Sequence, residues 1–253
     1  HKSPPAKPLA IDGAFHDADG NYYYEVVRAK DIWNLIMQNT YDHAEPGVIF
    51  IDRINKRNNL WYFEKIASTN PCGEQPLPPY GACLLGSLNM TQFVLNPFST
   101  QAKIDWPALE KATRDAVNML DSVIDISNFP LKAQRYEATM KRRMGIGITG
   151  FADMLAMLCV VYGSEKSIEI AENLMKQITF AAYDESADLA VKYGPCFPTA
   201  NIKNRKLYLE GFIPKQLPEA IKNKILNNGI RNSHLISIAP TGTISLYAGN
   251  ISS

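Results

Sequence analysis

The chain has 253 residues, 46% of them hydrophobic and 20% charged, with a formal net charge of +1. That is the composition of an ordinary folded protein with a substantial core, and its near-neutral balance gives no reason to expect binding to nucleic acid or anionic membrane. It contains no apolar run of membrane-spanning length and no signal peptide, and its four cysteines show no CxxC spacing, so neither a zinc site nor a disulfide framework is expected.

Residues 1–21, with His1-Lys-Ser-Pro-Pro and scattered Asp and Gly, read as an irregular lead-in, and 22–253 as one domain. Ile32, Trp33, Ile36 and Met37 recur at helical spacing within Ala29 to Thr40. Gly47 to Ile51 reads as a short buried strand, and Leu84 to Val94 as extended chain. Asp105 is placed to cap a helix with Pro107 in its first turn, an inward stripe of Leu109, Ala112, Ala116, Met119, Val123 and Ile126, and an end before Pro130. Met144 to Ile148 reads as a strand and Phe151 to Cys159 as a helix. A long helix follows from about Lys166 to Tyr193, with Ile168, Ala171, Leu174, Ile178, Ala182 and Leu189 inward and Gly194-Pro195 as its stop. Ala220 to Asn228 is a shorter helix ended by Gly229, and Leu235 to Ala239 a buried strand. Apolar strands alternating with long helices predict an α/β fold with parallel strands.

One stretch stands apart from this pattern. Ser68 to Asn89 holds Cys72, with Asn70 two residues before it and Glu74 two after, and a second cysteine, Cys83, eleven positions on. Gly73, Pro76, Pro78, Pro79 and Gly81 forbid a helix or central strand, so an ordered loop is expected. In extended chain Asn70, Cys72 and Glu74 would face one space, joining a thiol, a carboxylate and an amide. Cys159 and Cys196, in apolar or Pro-rich surroundings, read as small buried hydrophobes. Gly145-Ile-Gly-Ile-Thr-Gly150 matches GxGxxG, but Glu169 to Glu172, where the acidic partner of a dinucleotide site belongs, lies inside the long helix; tight strand-to-helix packing is the expected role of these glycines. The turn Pro240, Thr241, Gly242, Thr243, Ile244, Ser245 opens a short helix and suits a phosphate, although spacing alone favours an ordinary turn. Lys141-Arg-Arg143 reads as a solvated helix end, with an arginine reaching a core carboxylate as the alternative. His234 is the one histidine near a motif.

Asn-Pro-Cys-Gly-Glu followed by Gln-Pro-Leu resembles the finger loop of ribonucleotide reductase catalytic subunits, and its Pro-Cys-Gly-Glu form is most similar to the adenosylcobalamin-dependent class II enzymes. Four further stretches agree with that family in order: Glu45 to Arg53, Gly81 to Asn89, Arg143 to Gly150 and Ala239 to Ser245. The resemblance implies part of a ten-stranded α/β barrel around a central finger loop. It implies that Cys72 becomes a thiyl radical, Glu74 takes the ribose 3′-OH proton, and Asn70 orients the ribose. Cys83 would be half of the reducing cysteine pair, its partner lying upstream of residue 1, and 240–245 would grip the substrate phosphates. Implied partners are a ribonucleoside di- or triphosphate, a thioredoxin-type reductant and the remaining parts of the reductase as further chain or complementing subunits, in a cytoplasmic setting without nucleic acid or membrane. No metal ligand set is implied. Starting at His1 and stopping after Asn250-Ile-Ser-Ser, the chain reads as an excised middle piece without turnover of its own. A non-catalytic folded piece and a class I enzyme with a diiron partner stay open as alternatives.

Overall fold

The computed structural model describes residues 27–252 and the backbone of two short strands, Phe15–His16 (β1) and Tyr22–Tyr23 (β2), which pair antiparallel. The rest of the lead-in read over 1–21 lies outside the described residues. Two units are formed, residues 1–50 and 51–253. In the first, helix Ala29–His43 (α1) ends on Ala44 in the left-handed region and buries none of its residues.

The second unit opens with helix Ile51–Lys56 (α2). The buried strand expected over 47–51 is not formed: residues 47–50 are exposed and without regular structure, and Ile51 already begins the helix, a short apolar run being too weak a signal to specify a strand. Asn55 fastens the helix, its amide donating to the Ile51 and Ile66 carbonyls while its oxygen accepts from the Ile66 N–H. Ser68–Thr69 (β3) and Pro76–Leu77 (β4) form an antiparallel hairpin. Leu84–Asn89 (β5) follows, but the extended chain expected to Val94 is broken at Met90–Phe93 by a 3₁₀ turn. Asn89 causes the break, accepting from the Thr91 N–H at 3.1 Å. Val94–Leu95 (β6) then pairs with Lys103–Ile104 (β7).

Helix Trp106–Ile126 (α3) starts where expected, its Asp105 cap accepting from the Ala108 N–H at 3.1 Å. Its buried line is Leu109, Thr113, Val117, Leu120 and Ile124, rotated from the expected stripe, and Met119 and Ile126 are exposed. The reason is tertiary: Leu120 packs against Gly86 of β5, and that contact fixes which of two adjacent apolar stripes turns inward. Helix Lys132–Lys141 (α4) leads into Met144–Thr149 (β8), every residue of which is buried. Phe151–Met157 (α5) ends two residues short of Cys159. Helix Glu165–Tyr193 (α6) buries Leu174, Ile178, Ala182 and Leu189 as expected, but Ile168 is exposed. Ile202–Leu209 (α7), Glu219–Asn228 (α8) and Gly242–Ala248 (α9) complete the elements.

β8 is the centre of the unit. On one side it pairs in parallel with β5 over the register Leu84↔Met144 to Asn89↔Thr149. On the other runs 234–239, bonded through Met144 N to His234 O, Ile146 N to Leu235 O and Ser237 N to Ile146 O. This segment is a single parallel bridge, Ile146↔Ile236, rather than the strand expected over 235–239. Helices α3 and α6 cover the sheet, and the core joins Val117, Leu120, Ile146, Leu174 and Ile178. The result is mixed α/β with parallel strands and, among the described residues, no closed barrel. No described helix is long and apolar enough to cross a membrane.

Candidate active site

The Cys72 loop is the tip of the β3–β4 hairpin. Asn70 accepts through its carbonyl from Gly73 N at 3.0 Å, and its side-chain oxygen accepts from Gln75 N at 2.9 Å. Pro71 suits the second position of this turn, and Gly73, at φ +85°, supplies the left-handed residue that closes it. The loop is therefore ordered, as expected, but turned rather than extended, and the alternation that would align Asn70, Cys72 and Glu74 is absent. Cys72 is a free thiol exposed at the tip. Asn70 directs its oxygen into the hairpin. Glu74 is half-buried, and its Oε2 is buried without a hydrogen-bond partner.

Glu74 lines a cavity of about 270 Å³ with Arg57, Asn58, Ile66, Gln75 and His234 among its walls. The hairpin is fastened beside it: Ser237 Oγ donates to the Glu74 carbonyl at 3.0 Å. Gly145 leaves room for Gln75, since a Cβ there would come within 2.5 Å of its Nε2 and 2.6 Å of the Ser237 Cβ. Gly147 lies against the Ser237 carbonyl. These two glycines thus serve close packing, as the sequence suggested.

Three residues after Ser237 the chain reaches Pro240, so the 240–245 turn starts within about 11 Å of the hairpin's anchor. Thr241 is buried in the left-handed region, φ +53°, and Ser245 N bonds back to its carbonyl at 2.8 Å. Gly242, Thr243 and Ile244 are exposed. Past α9, Gly150 N bonds Ile251 O at 2.8 Å and Thr149 Oγ1 donates to Asn250 Oδ1 at 3.0 Å, which pins the turn near the C-terminal end of β8. Ligands of parallel α/β sheets characteristically gather at that end.

Cys83 is half-buried ahead of β5, donating to Leu84 O at 3.5 Å. Burial pushes its thiol up to about 12, with Arg143 opposing and Glu74 adding to the rise. Cys196 is buried as expected, but Cys159 is exposed, because it caps the end of α5 with φ +57° instead of continuing the helix inward. No group of three or more His, Cys, Asp or Glu suited to a metal occurs among the described residues.

The Lys141-Arg-Arg143 run is buried, not solvated. Lys141 Nζ sits 2.6 Å from Glu64 and also pairs with Glu137; Arg143 pairs with the same Glu64. Arg142 binds Asp121 at 2.7 Å and Asp125 at 2.7 Å, and Asp121 also takes Arg231 and Asn232. The physical reason is sequence position: the run leads straight into the fully buried β8, and Arg142, at φ +48°, turns the chain so that all three side chains enter the interior. Charged residues abutting an all-apolar strand were the signal for these partners, but Glu64, nearly 80 positions away, carried none. His234 is held by Asn58 at 3.0 Å and Ser233 at 3.0 Å, with Arg143 Nε donating to its Nδ1 at 3.3 Å. Burial, then Arg143 and Lys141, hold its pKa well below 6.5, so the ring is neutral and its Nε2–H donates to Asn58.

The chain belongs to the family described as ribonucleotide reductase, barrel domain, whose model matches residues 11–253. It is similar to a vitamin B12-dependent ribonucleoside-diphosphate reductase of Thermoplasma acidophilum, 38% identical over 90% of this chain and 27% of the relative. A protein of the same name from Mycobacterium tuberculosis is 34% identical over 87% of this chain and 28% of its own. A ribonucleoside-diphosphate reductase large subunit of Danio rerio is 26% identical over 89% and 29%. The chain thus spans under a third of the length of these relatives.

Proposed function

We propose that this chain carries the radical-bearing part of a class II ribonucleotide reductase active site and acts on a ribonucleoside diphosphate. The observation that carries the reading is the Glu74 carboxylate. Its unpartnered buried oxygen borders a cavity, on a hairpin whose exposed tip is Cys72 and whose anchor, Ser237, leads directly to the 240–245 turn. The strands β5 and β8 and the segment 234–239 are then neighbouring staves of a ten-stranded barrel that residues 22–253 form in part.

The chemistry follows from the groups. A thiyl at Cys72 removes the ribose 3′ hydrogen, forming S–H and leaving the radical at C3′. Glu74 accepts the 3′-OH proton, and a carboxylate without a competing donor suits that task. The 2′ C–O bond breaks and water leaves. Two thiols, Cys83 and a partner, supply the two electrons and two protons and close to a disulfide; a thioredoxin-type reductant reopens it. Cys72 returns its hydrogen to C3′ and Glu74 returns its proton to the 3′ oxygen, which restores the thiyl and the carboxylate. Asn70 holds the hairpin through Gln75 N while its amide nitrogen orients the ribose, and the exposed amides of Gly242 and Thr243 with the Thr243 hydroxyl receive phosphate oxygens. An exposed free thiol on a rigid tip, bordered by Pro71 and Gly73, fits a cofactor that arrives from beyond the hairpin. Adenosylcobalamin, when bound, supplies the radical. The names of the B12-dependent relatives support this class and the diphosphate.

Hydrogen exchange read over 241–245 tests the substrate part. Protection on adding a ribonucleoside diphosphate is expected, and its absence at millimolar nucleotide overturns the phosphate assignment. With the remaining reductase segments supplied, turnover is expected only with adenosylcobalamin and is lost in Cys72→Ser. Cobalamin-independent turnover reassigns the chain to the class with a diiron partner.

A further inference from the structure

The Oε2 of Glu74 is buried without a hydrogen-bond partner among the described residues, so no donor fixes that oxygen in place. The carboxylate takes its position from the backbone that carries it, the turn of the β3–β4 hairpin. The bonds within that turn are local: Asn70 accepts from Gly73 N and Gln75 N, and Asn70 N donates to Gln75 O. They shape the turn but do not seat it on the sheet. Ser237 does, its Oγ donating to the Glu74 carbonyl at 3.0 Å; among the described residues this is the single hydrogen bond from residues 70–76 to β8 or to the segment 234–239. Gln75, packed into the notch at Gly145, limits how closely the hairpin approaches the sheet, and the hydroxyl limits how far it departs. Ser237 is itself immobile. Its N–H donates to Ile146 O at 3.1 Å, its carbonyl lies against Gly147 and its Cβ against Gly145.

We propose that Ser237 is the positioning residue for Glu74: its hydroxyl, held by β8 and bonded to the Glu74 carbonyl, sets where the carboxylate stands relative to a ribose whose phosphates lie at the 240–245 turn. The same short segment carries both the anchor and the turn, so the distance between base and substrate is fixed within one piece of chain. A base works only within hydrogen-bond reach of the proton it takes, and a displacement of about 1 Å costs on the order of a hundredfold in rate. The phosphate grip does not depend on the hydroxyl, because the turn has its own ties, Ser245 N to Thr241 O and Gly150 N to Ile251 O. Ser237 touches no reacting atom and acts through Glu74. The proposal deepens the reading above and rests on it.

Two measurements test it on Ser237→Ala, which deletes one oxygen and adds nothing against Gly145 or Gly147, so the fold is kept. Hydrogen exchange on the 253-residue chain reads the seat of the hairpin. The Asn70, Gly73 and Gln75 amides should exchange about tenfold faster than in wild type, with the Ile146 and Leu88 amides of the sheet within about twofold. In the reductase completed with its remaining segments and adenosylcobalamin, kcat per folded molecule should fall about ten- to a hundredfold while KM for the ribonucleoside diphosphate stays within about twofold. Ser237→Thr keeps the donor and should recover kcat to within about threefold of wild type. A serine with a merely structural role would loosen sheet and hairpin alike and would not separate kcat from KM. Hairpin exchange equal to wild type, a rise in KM that accounts for the loss, or equal kcat in the Thr and Ala variants overturns the proposal. If the completed wild type turns over and Ser237→Ala matches it, the proposal alone fails; if the completed wild type does not turn over, the reading of the chain as a reductase piece fails and this proposal with it.

Discussion

Gly147→Ala tests whether the glycines of β8 exist for packing. An alanine Cβ at 147 would lie 2.3 Å from the Ser237 carbonyl oxygen and 3.3 Å from its carbon, against an ordinary contact of at least 3.4 Å. Relief of that overlap of about 1 Å cannot come from a side-chain rotamer, because the opposing atom is backbone. Nor can the strands part freely: β8 is tied by its ladder to β5 and by three hydrogen bonds to 234–239. Overpacking of this kind costs about 1–3 kcal/mol, and with rigid backbone on both sides the upper end applies, about 3 kcal/mol. For a unit of this size that lowers the melting temperature by about 6–12 °C. Gly242→Ala is the control: its Cβ meets nothing within 4 Å and its φ is not positive, so the change stays within about 0.5 kcal/mol. Thermal melts by circular dichroism measure both. A Gly147→Ala melt within 2 °C of wild type refutes the packing argument and returns the glycine motif to a ligand-binding role.

Asp121→Ala takes the buried carboxylate from Arg142, Arg231 and Asn232, leaving Arg142 with the exposed Asp125 and Arg231 with the Tyr193 and Gly194 carbonyls, so urea denaturation should show a loss of about 3 kcal/mol, far more than at an exposed pair such as Lys111–Asp115. His234 is neutral when folded and its folded pKa is lowered, so the unfolded chain binds the extra proton. Stability should therefore decline as pH falls below 6.5 toward the folded value, and the decline should flatten in His234→Gln, read by melts from pH 7.5 to 4.5. At pH 8, iodoacetamide should modify the exposed Cys72 and Cys159 at least about tenfold faster than Cys83 or Cys196, whose thiols burial pushes up to about 12 and about 11. Equal rates would contradict the hairpin placement of Cys72.

Local signals were legible where a single turn or cap decides the outcome. Asp105 with Pro107 started α3, Gly194 and Gly229 ended α6 and α8, and the Pro and Gly content of 68–89 demanded an ordered loop. The five motifs also marked the family, since they depend on residue identity in order and not on packing. What only the tertiary structure decided are choices between locally equivalent options. The stripe of α3 was fixed by Leu120 meeting Gly86. The run Lys141–Arg143 went inward because Glu64 and Asp121, distant in sequence, stood ready to neutralise it. The hairpin at Cys72 was closed by hydrogen bonds that Asn70 accepts from Gly73 N and Gln75 N, and its side chain has both local and ligand-facing uses open to it. Periodicity records which residues tolerate burial, but the partner that makes burial favourable lies elsewhere in the chain, and the fold alone brings it near.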